Sequence, residues 1–270
     1  MTNWIAAVQR LRRERLPGVL VTITEVRGHA PRDAGTKMVV ACDEAWGTIG
    51  GGNLEETALA RARRMLDEPA SAPESMTMSL NDKVRTEHGR QCCGGEVTLL
   101  FERMGVVPSV AIFGMGHVGL ELARILSRHD LDLHVVDSRA DQVAADRLAC
   151  LDDGPAVVHA HHSPVPEVTL GEVAQGTHVL ILTHDHAEDF ALCDAALRCS
   201  HLESIGLIGS SAKWRRFQQG LRVEGHTEAQ IGRIRSPIGT PDIPGKEPAT
   251  IAVGVAAELL RTFESSRVTS

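Results

Sequence analysis

The sequence predicts an α/β protein in two parts: an N-terminal mixed α/β domain over 1–104 and a C-terminal Rossmann-like parallel-sheet domain over 110–270, joined by a linker at 105–109. Three observations carry that reading. From residue 110 onward, short apolar runs alternate with amphipathic helical stretches, the pattern of a parallel sheet with helices on both faces. The first of these runs leads into "FGMGHVG", which has the G-x-G-x-x-G spacing and is followed by a second run ending in an acid, Asp137. Before residue 104 the β-rich runs are separated by short loops, and antiparallel pairing is expected there.

Taken in order, Trp4, Ile5, Val8 and Leu11 recur at helical spacing, and Pro17-Gly18 ends that helix. "VLVTITEV" (19–26) and "TKMVVACDE" (36–44) read as strands joined by the loop "RGHAPRDAG". Gly50, Gly51 and Gly52 lead into a helix with Asn53 as its expected N-cap and Glu55 and Glu56 in the first turn, where the helix dipole favours acids. "SMTMSL" and "GEVTLLFERM" return to strand. In the second part, strands are expected at 110–114, 131–137, 155–160, 178–184 and 204–210, and helices at 117–130, 188–200, 212–222 and 247–264.

Composition narrows the function classes. The net charge of −7 argues against a nucleic-acid partner, because neutralising phosphates needs clustered Lys and Arg. No apolar run is long enough to span a membrane, and the N-terminus lacks the pattern of a secretory signal. A cytoplasmic protein is expected, in which the six cysteines do not form a disulfide framework.

Three stretches carry candidate chemistry. At Gly114, Gly116 and Gly119 the backbone can turn tightly and approach a phosphate at the start of a helix. There His117 is placed to donate to the anion, and Asp137 to grip a ribose hydroxyl. The expected ligand is a nucleotide or dinucleotide; the alternative is a turn kept for packing alone. At "GLIGSSAKWRR", Lys213 and Arg215 oppose the helix dipole, which an anion at the sheet mouth would offset; simple surface charge is the equal alternative. "THDHAEDF" offers His184, His186 and Asp189 to a metal, although its spacing matches no specific metal motif and capping of the next helix is the favoured reading.

The third stretch is "GRQCCGGEV". Cys92 and Cys93 stand side by side before Gly94 and Gly95, with Arg85, His88 and Arg90 close upstream. Nearby positive charge favours a thiolate. Glycines weaken the reading as an ordinary strand start and leave room for a large ligand to reach sulfur. An accessible thiol site follows, without telling which sulfur matters.

The blocks "EVRGHAPRDAGTKMVV", "GTIGGGNLEE", "GRQCCGGEV", "FGMGHVGLELARIL", "VVDSR", "THDHAEDFALCDAAL", "IGLIGSSAKW" and "RSPIGTPDI" occur in this order. Together they resemble the xanthine dehydrogenase accessory protein family over nearly the whole chain. That resemblance implies a non-enzymatic chaperone that binds molybdenum cofactor (molybdopterin). It would protect the cofactor while a cysteine desulfurase adds the sulfido ligand, then insert it into apo xanthine dehydrogenase, in the service of purine catabolism. Cys92 and Cys93 match the block where a cysteine is implicated in holding the cofactor and its metal. Arg32, Lys37 and Arg90 are candidates for its phosphate or pterin, and Gly50 to Gly52 for a second anion cradle. A homodimer is expected. The sequence departs from the family at His29, where serine is usual, at Ser211, where arginine is usual, and in the interrupted "PIGTPDIPG". The rival classes are an NAD(P)-dependent oxidoreductase using the Rossmann site and a metal-dependent hydrolase built on "HDHAED".

Overall fold

A computed structural model describes residues 3–68, 72–80 and 94–269; Arg85, His88, Arg90, Cys92 and Cys93 lie outside the described residues. The chain divides into two compact units, one of residues 1–106 with 264–270, the other of residues 107–263.

In the first unit, helix α1 (Trp4–Glu14) precedes strands β1 (Gly18–Arg27), β2 (Lys37–Val40) and β3 (Ala45–Gly47). Helix α2 (Gly52–Asp67) and strands β4 (Glu74–Ser79) and β5 (Glu96–Met104) complete it. The strands form one antiparallel sheet in the order β3-β2-β1-β5-β4. Side chains alternate across it. Val19, Val21, Ile23, Met38 and Val40 pack against Leu54, Ala58, Ala62 and Met65 of α2, whereas Val39 and Leu20 join Ala7 and Leu11 of α1. Each helix therefore packs with a different set of strand residues.

Two local expectations are corrected. The run 36–44 is not one strand: it ends at Val40, and Ala41 N–H donates to Glu44 O at 2.8 Å, closing a hairpin into β3. Asn53 is not the N-cap of α2. Gly51 holds that position at φ +73°, and Asn53 sits buried inside the first turn.

The second unit runs β6 (Ser109–Phe113), α3 (His117–Leu126), β7 (Asp132–Asp137), α4 (Ala145–Leu148), β8 (Val157–His162), α5 (Glu167–Leu170), β9 (Thr177–Ile181) and α6 (His186–Arg198). Then come β10 (Leu202–Leu207), α7 (Ser211–Val223), α8 (Glu228–Ile231), β11 (Ile234–Arg235) and α9 (Pro248–Thr269). All six strands are parallel, ordered β8-β7-β6-β9-β10-β11, or 3-2-1-4-5-6 counted from β6. That is the dinucleotide-fold order, with its switch point between β6 and β9. The sheet is covered on both faces. Leu122 and Leu126 of α3 and Ala252, Val255, Ala256 and Leu259 of α9 fill one core. Leu192, Cys193, Ala196, Phe217 and Leu221 of α6 and α7 fill the other. Among the described residues no helix is long and apolar enough to cross a membrane.

Candidate functional site

At the switch point the three glycines of the fingerprint do three different things. Gly114 follows β6 at φ +106°; a Cβ there would stand 2.4 Å from Leu182 O, so the turn lies directly on the backbone after β9. A Cβ on Gly119 would stand 2.0 Å from Gly114 O, which locks the first turn of α3 against the end of β6. A Cβ on Gly116 would meet nothing within 4 Å. The first and third glycines serve packing, and the second leaves open backbone at a helix start, the place where a phosphate sits in this fold. His117, the first residue of α3, is exposed there.

Asp137 ends β7 beside this turn and is 2% exposed. The sequence places it to grip a ribose hydroxyl, and in the structure both of its oxygens accept hydrogen bonds from within the chain. Its Oδ2 accepts from Met115 N–H at 2.7 Å and Arg139 Nη2 at 3.0 Å. Its Oδ1 accepts from Arg139 N–H at 3.0 Å and Nε at 2.9 Å. Burial pushes the carboxyl up, but the bonds from Arg139 and Met115 outweigh it and hold Asp137 below its ordinary value. Arg139 is pushed up in turn, chiefly by its bond to Asp137. Arg147 Nη2 donates to Met115 O at 3.1 Å, which ties α4 to the same loop.

Past the switch point, the lysine of the second glycine turn has a partner anion within the chain. Lys213 Nζ pairs with Asp189 and donates to Ile208 O at 3.0 Å. Asp189 is 1% exposed, and its Oδ1 accepts from Thr183 N–H at 3.0 Å and Thr183 Oγ1 at 2.7 Å. Asp185 is the N-cap of α6, accepting from Ala187 and Glu188 N–H. Arg215, His184 and His186 are exposed, and among the described residues no group of three His, Cys, Asp or Glu is arranged to hold a metal. Cys193, buried in the core of this unit, is pushed up to about 12 by burial and is an inert thiol.

In the first unit, three stretches far apart in sequence meet. A Cβ on Gly95 would stand 2.2 Å from His29 O and 2.8 Å from Arg27 O, and one on Gly50 would stand 2.3 Å from Pro31 Cγ. Gly94 N–H donates to Leu80 O and Gly95 O accepts from Leu80 N–H, at 3.1 and 2.7 Å. The loop after β1, the glycines before α2 and the glycines after the paired cysteines thus form one contiguous patch. Part of the anion cradle expected at Gly50 to Gly52 is taken by the chain itself: Glu55 Oε2 accepts from Ile49 and Gly51 N–H at 3.1 Å each, and from Thr48 Oγ1. Gly50 N–H donates to Thr48 Oγ1. Lys37 points elsewhere, donating to Thr22 Oγ1 at 2.9 Å beside the Trp4 ring of α1. Arg32 is exposed on the loop that carries Pro31. Among the described residues no donor reaches Asn53 Oδ1, buried in the first turn of α2.

Sequence reasoning missed Arg139, the orphaned Asn53 carbonyl and the reach of Glu55 back over its own helix start. The acid after the glycine turn was the available signal for Glu55, and the basic first turn of α7 was the signal for a buried partner.

These features define a protein with an antiparallel α/β unit and a Rossmann unit of dinucleotide type. Residues 110–259 match the model for the XdhC Rossmann domain, and residues 11–77 match that for the XdhC and CoxI family. The chain belongs to the XdhC family. It is similar to the uncharacterized protein YqeB of Escherichia coli K12, at 25% identity over 261 residues covering 96% of this chain. It spans about half, 46%, of that relative's length. Among solved structures it is similar to one described as a xanthine dehydrogenase from Bacillus halodurans (19% identity, TM-score 0.48, 98% of this chain and 96% of that one). It is also similar to the E. coli tRNA N6-threonylcarbamoyladenosine dehydratase TcdA (12% identity, TM-score 0.42, 58% of this chain and 86% of that one).

Proposed function

We propose that this chain is an accessory protein of xanthine dehydrogenase that binds molybdenum cofactor. It shields the cofactor while a cysteine desulfurase adds the sulfido ligand, then delivers it to the apo enzyme's molybdenum subunit. The observation that carries the reading is the glycine patch of the first unit. Gly95 wedged on Arg27 and His29, with Pro31 on Gly50, gathers the family's motif blocks onto one surface, and Cys93 directly precedes that surface in the chain.

The residues present fit the group in part. Molybdopterin brings N–H donors on its pterin edge, a phosphate and a soft metal. The buried Oδ1 of Asn53, which no donor reaches among the described residues, fits a pterin N–H. Arg32 fits the phosphate, and the Ile49 and Gly51 amides before α2 do not, because Glu55 holds them. Cys92 and Cys93 fit soft-metal contact by their chemistry. The bound group would supply the molybdenum centre needed by the acceptor, and the chain's own part is to bind, exclude water and release. Release on docking favours a site where small motions change contacts, and the homodimer is the assembly we assign to it.

The test is purification from cells that make the cofactor. Molybdenum and pterin should co-purify with the protein and fall at least tenfold in the Cys92→Ala/Cys93→Ala double variant. Undiminished cofactor in that variant would remove the thiols from the mechanism. Open backbone at Gly116 supports a second ligand, a dinucleotide, in the Rossmann crevice.

A further inference from the structure

Resting on the reading that this crevice holds a dinucleotide, we propose that it selects the 2′-phosphorylated form, NADP(H), and that Arg139 is the residue that holds the 2′-phosphate.

The argument is one of donors and acceptors. In this fold the pyrophosphate lies at the glycine turn, and the adenosine ribose lies at the end of the second strand. An acid there accepts from the 2′-hydroxyl of NAD, or an arginine accommodates the 2′-phosphate of NADP. This chain has both residue types, two positions apart. A carboxylate offers about four acceptor sites. Those of Asp137 carry four N–H groups: Met115 N–H and the backbone, Nε and Nη2 of Arg139. A ribose hydroxyl could bond Asp137 only by displacing a charge-assisted bond from a 2%-exposed carboxylate.

Arg139 is in the opposite condition. Its guanidinium is anchored by Nε and Nη2, and Nη1 donates no hydrogen bond among the described residues. The side chain is 35% exposed, so the uncommitted edge is reachable. Because Asp137 already fixes the planar fork, little rotamer freedom remains to be lost when an anion binds. The nearby acids Glu188 and Asp141, which accept from Ser138 Oγ at 2.9 Å and Gln142 Nε2 at 2.8 Å, keep their negative charge, so what favours a phosphate here is the directed donor edge and not a positive field. Both act with Asp137 to keep the guanidinium charged. What the position presents to a ribose is therefore a fixed donor edge, which suits a phosphate.

Calorimetric titration of the full chain with NADPH and NADH, and with 2′,5′-ADP against 5′-AMP, tests this. The 2′-phosphorylated member of each pair should bind at least tenfold tighter. Arg139→Ala should abolish that ratio by weakening NADPH, and Arg139→Lys should restore part of it. The wild-type ratio needs no variant, and so stands whether or not Arg139→Ala folds. NADH binding as tightly as NADPH would overturn the selectivity while leaving the crevice a dinucleotide site. Binding of neither would overturn both. A preserved ratio in folded Arg139→Ala would remove Arg139 from it.

Discussion

Gly116 and Gly119 belong to one motif, yet their backbones ask for different things. A methyl on Gly119 would enter the carbonyl of Gly114 at 2.0 Å, and neither atom is the end of a flexible side chain. A methyl on Gly116 would meet nothing within 4 Å, at a φ of −67° that alanine accepts readily. Gly119→Ala should therefore destabilise the protein by about 1–3 kcal/mol, the usual range for overpacking. Gly116→Ala should cost less, at most about 1 kcal/mol, the loss of replacing a glycine N-cap by alanine. Urea unfolding separates the two. The same Gly116→Ala variant should weaken dinucleotide binding, because its methyl occupies the space a phosphate needs. If both variants unfold alike, the division of labour among these glycines is wrong.

At the scale of elements, the sequence was legible where periodicity is long and capping is local. The helices α1, α6 and α7 and the strands β1, β5, β6 and β7 announce themselves through spacing that burial enforces. The hairpin β2–β3 did not, because its turn at Cys42-Asp43 lacks glycine or proline and the apolar run continues up to it. Nor could spacing show that Asp189 and Lys213, 24 residues apart, meet under the ends of β9 and β10. Only the basic first turn of α7 hinted at a partner. That pair now makes a prediction of its own. Lys213 is 10% exposed along its side chain and Asp189 1%, so they staple α7 to α6 where water cannot take over. Lys213→Met alone leaves a buried carboxylate unpaired and should cost about 3–5 kcal/mol. Adding Asp189→Asn, which keeps an acceptor for Thr183 but removes the charge, should recover more than half of that loss. A double variant no more stable than Lys213→Met would show that the charge is not the source of the cost.

At the scale of the whole molecule, the two units have separate cores, and among the described residues the histidines whose shift is toward the neutral base, half-buried His161 and buried His178, lie in the Rossmann unit. His178 is buried on β9, its Nδ1 2.8 Å from Ser204 Oγ and its ring 5.2 Å from that of Phe263. Burial lowers its pKa from 6.5. On β7 and β8, His134 stacks on His159 at 4.6 Å and its Nδ1 lies 3.1 Å from His161 Nε2. There burial, then the neighbouring His159, lowers His161, with Glu172 opposing. Both folded values lie below the unfolded one, so the unfolded chain takes up protons first as pH falls. The contribution of these rings is fully present above the ordinary imidazole value of 6.5 and is lost progressively below it. Asp137 and Asp194, both held low, add a second loss only as pH falls below their ordinary 3.8. Stability measured by urea should therefore be level from pH 8 to 7, decline from 6.5 toward 5, and fall again in stronger acid. His178→Asn removes the most buried ring and should flatten the first decline while leaving the second intact. A first decline equally steep in that variant would show that His178 carries none of it.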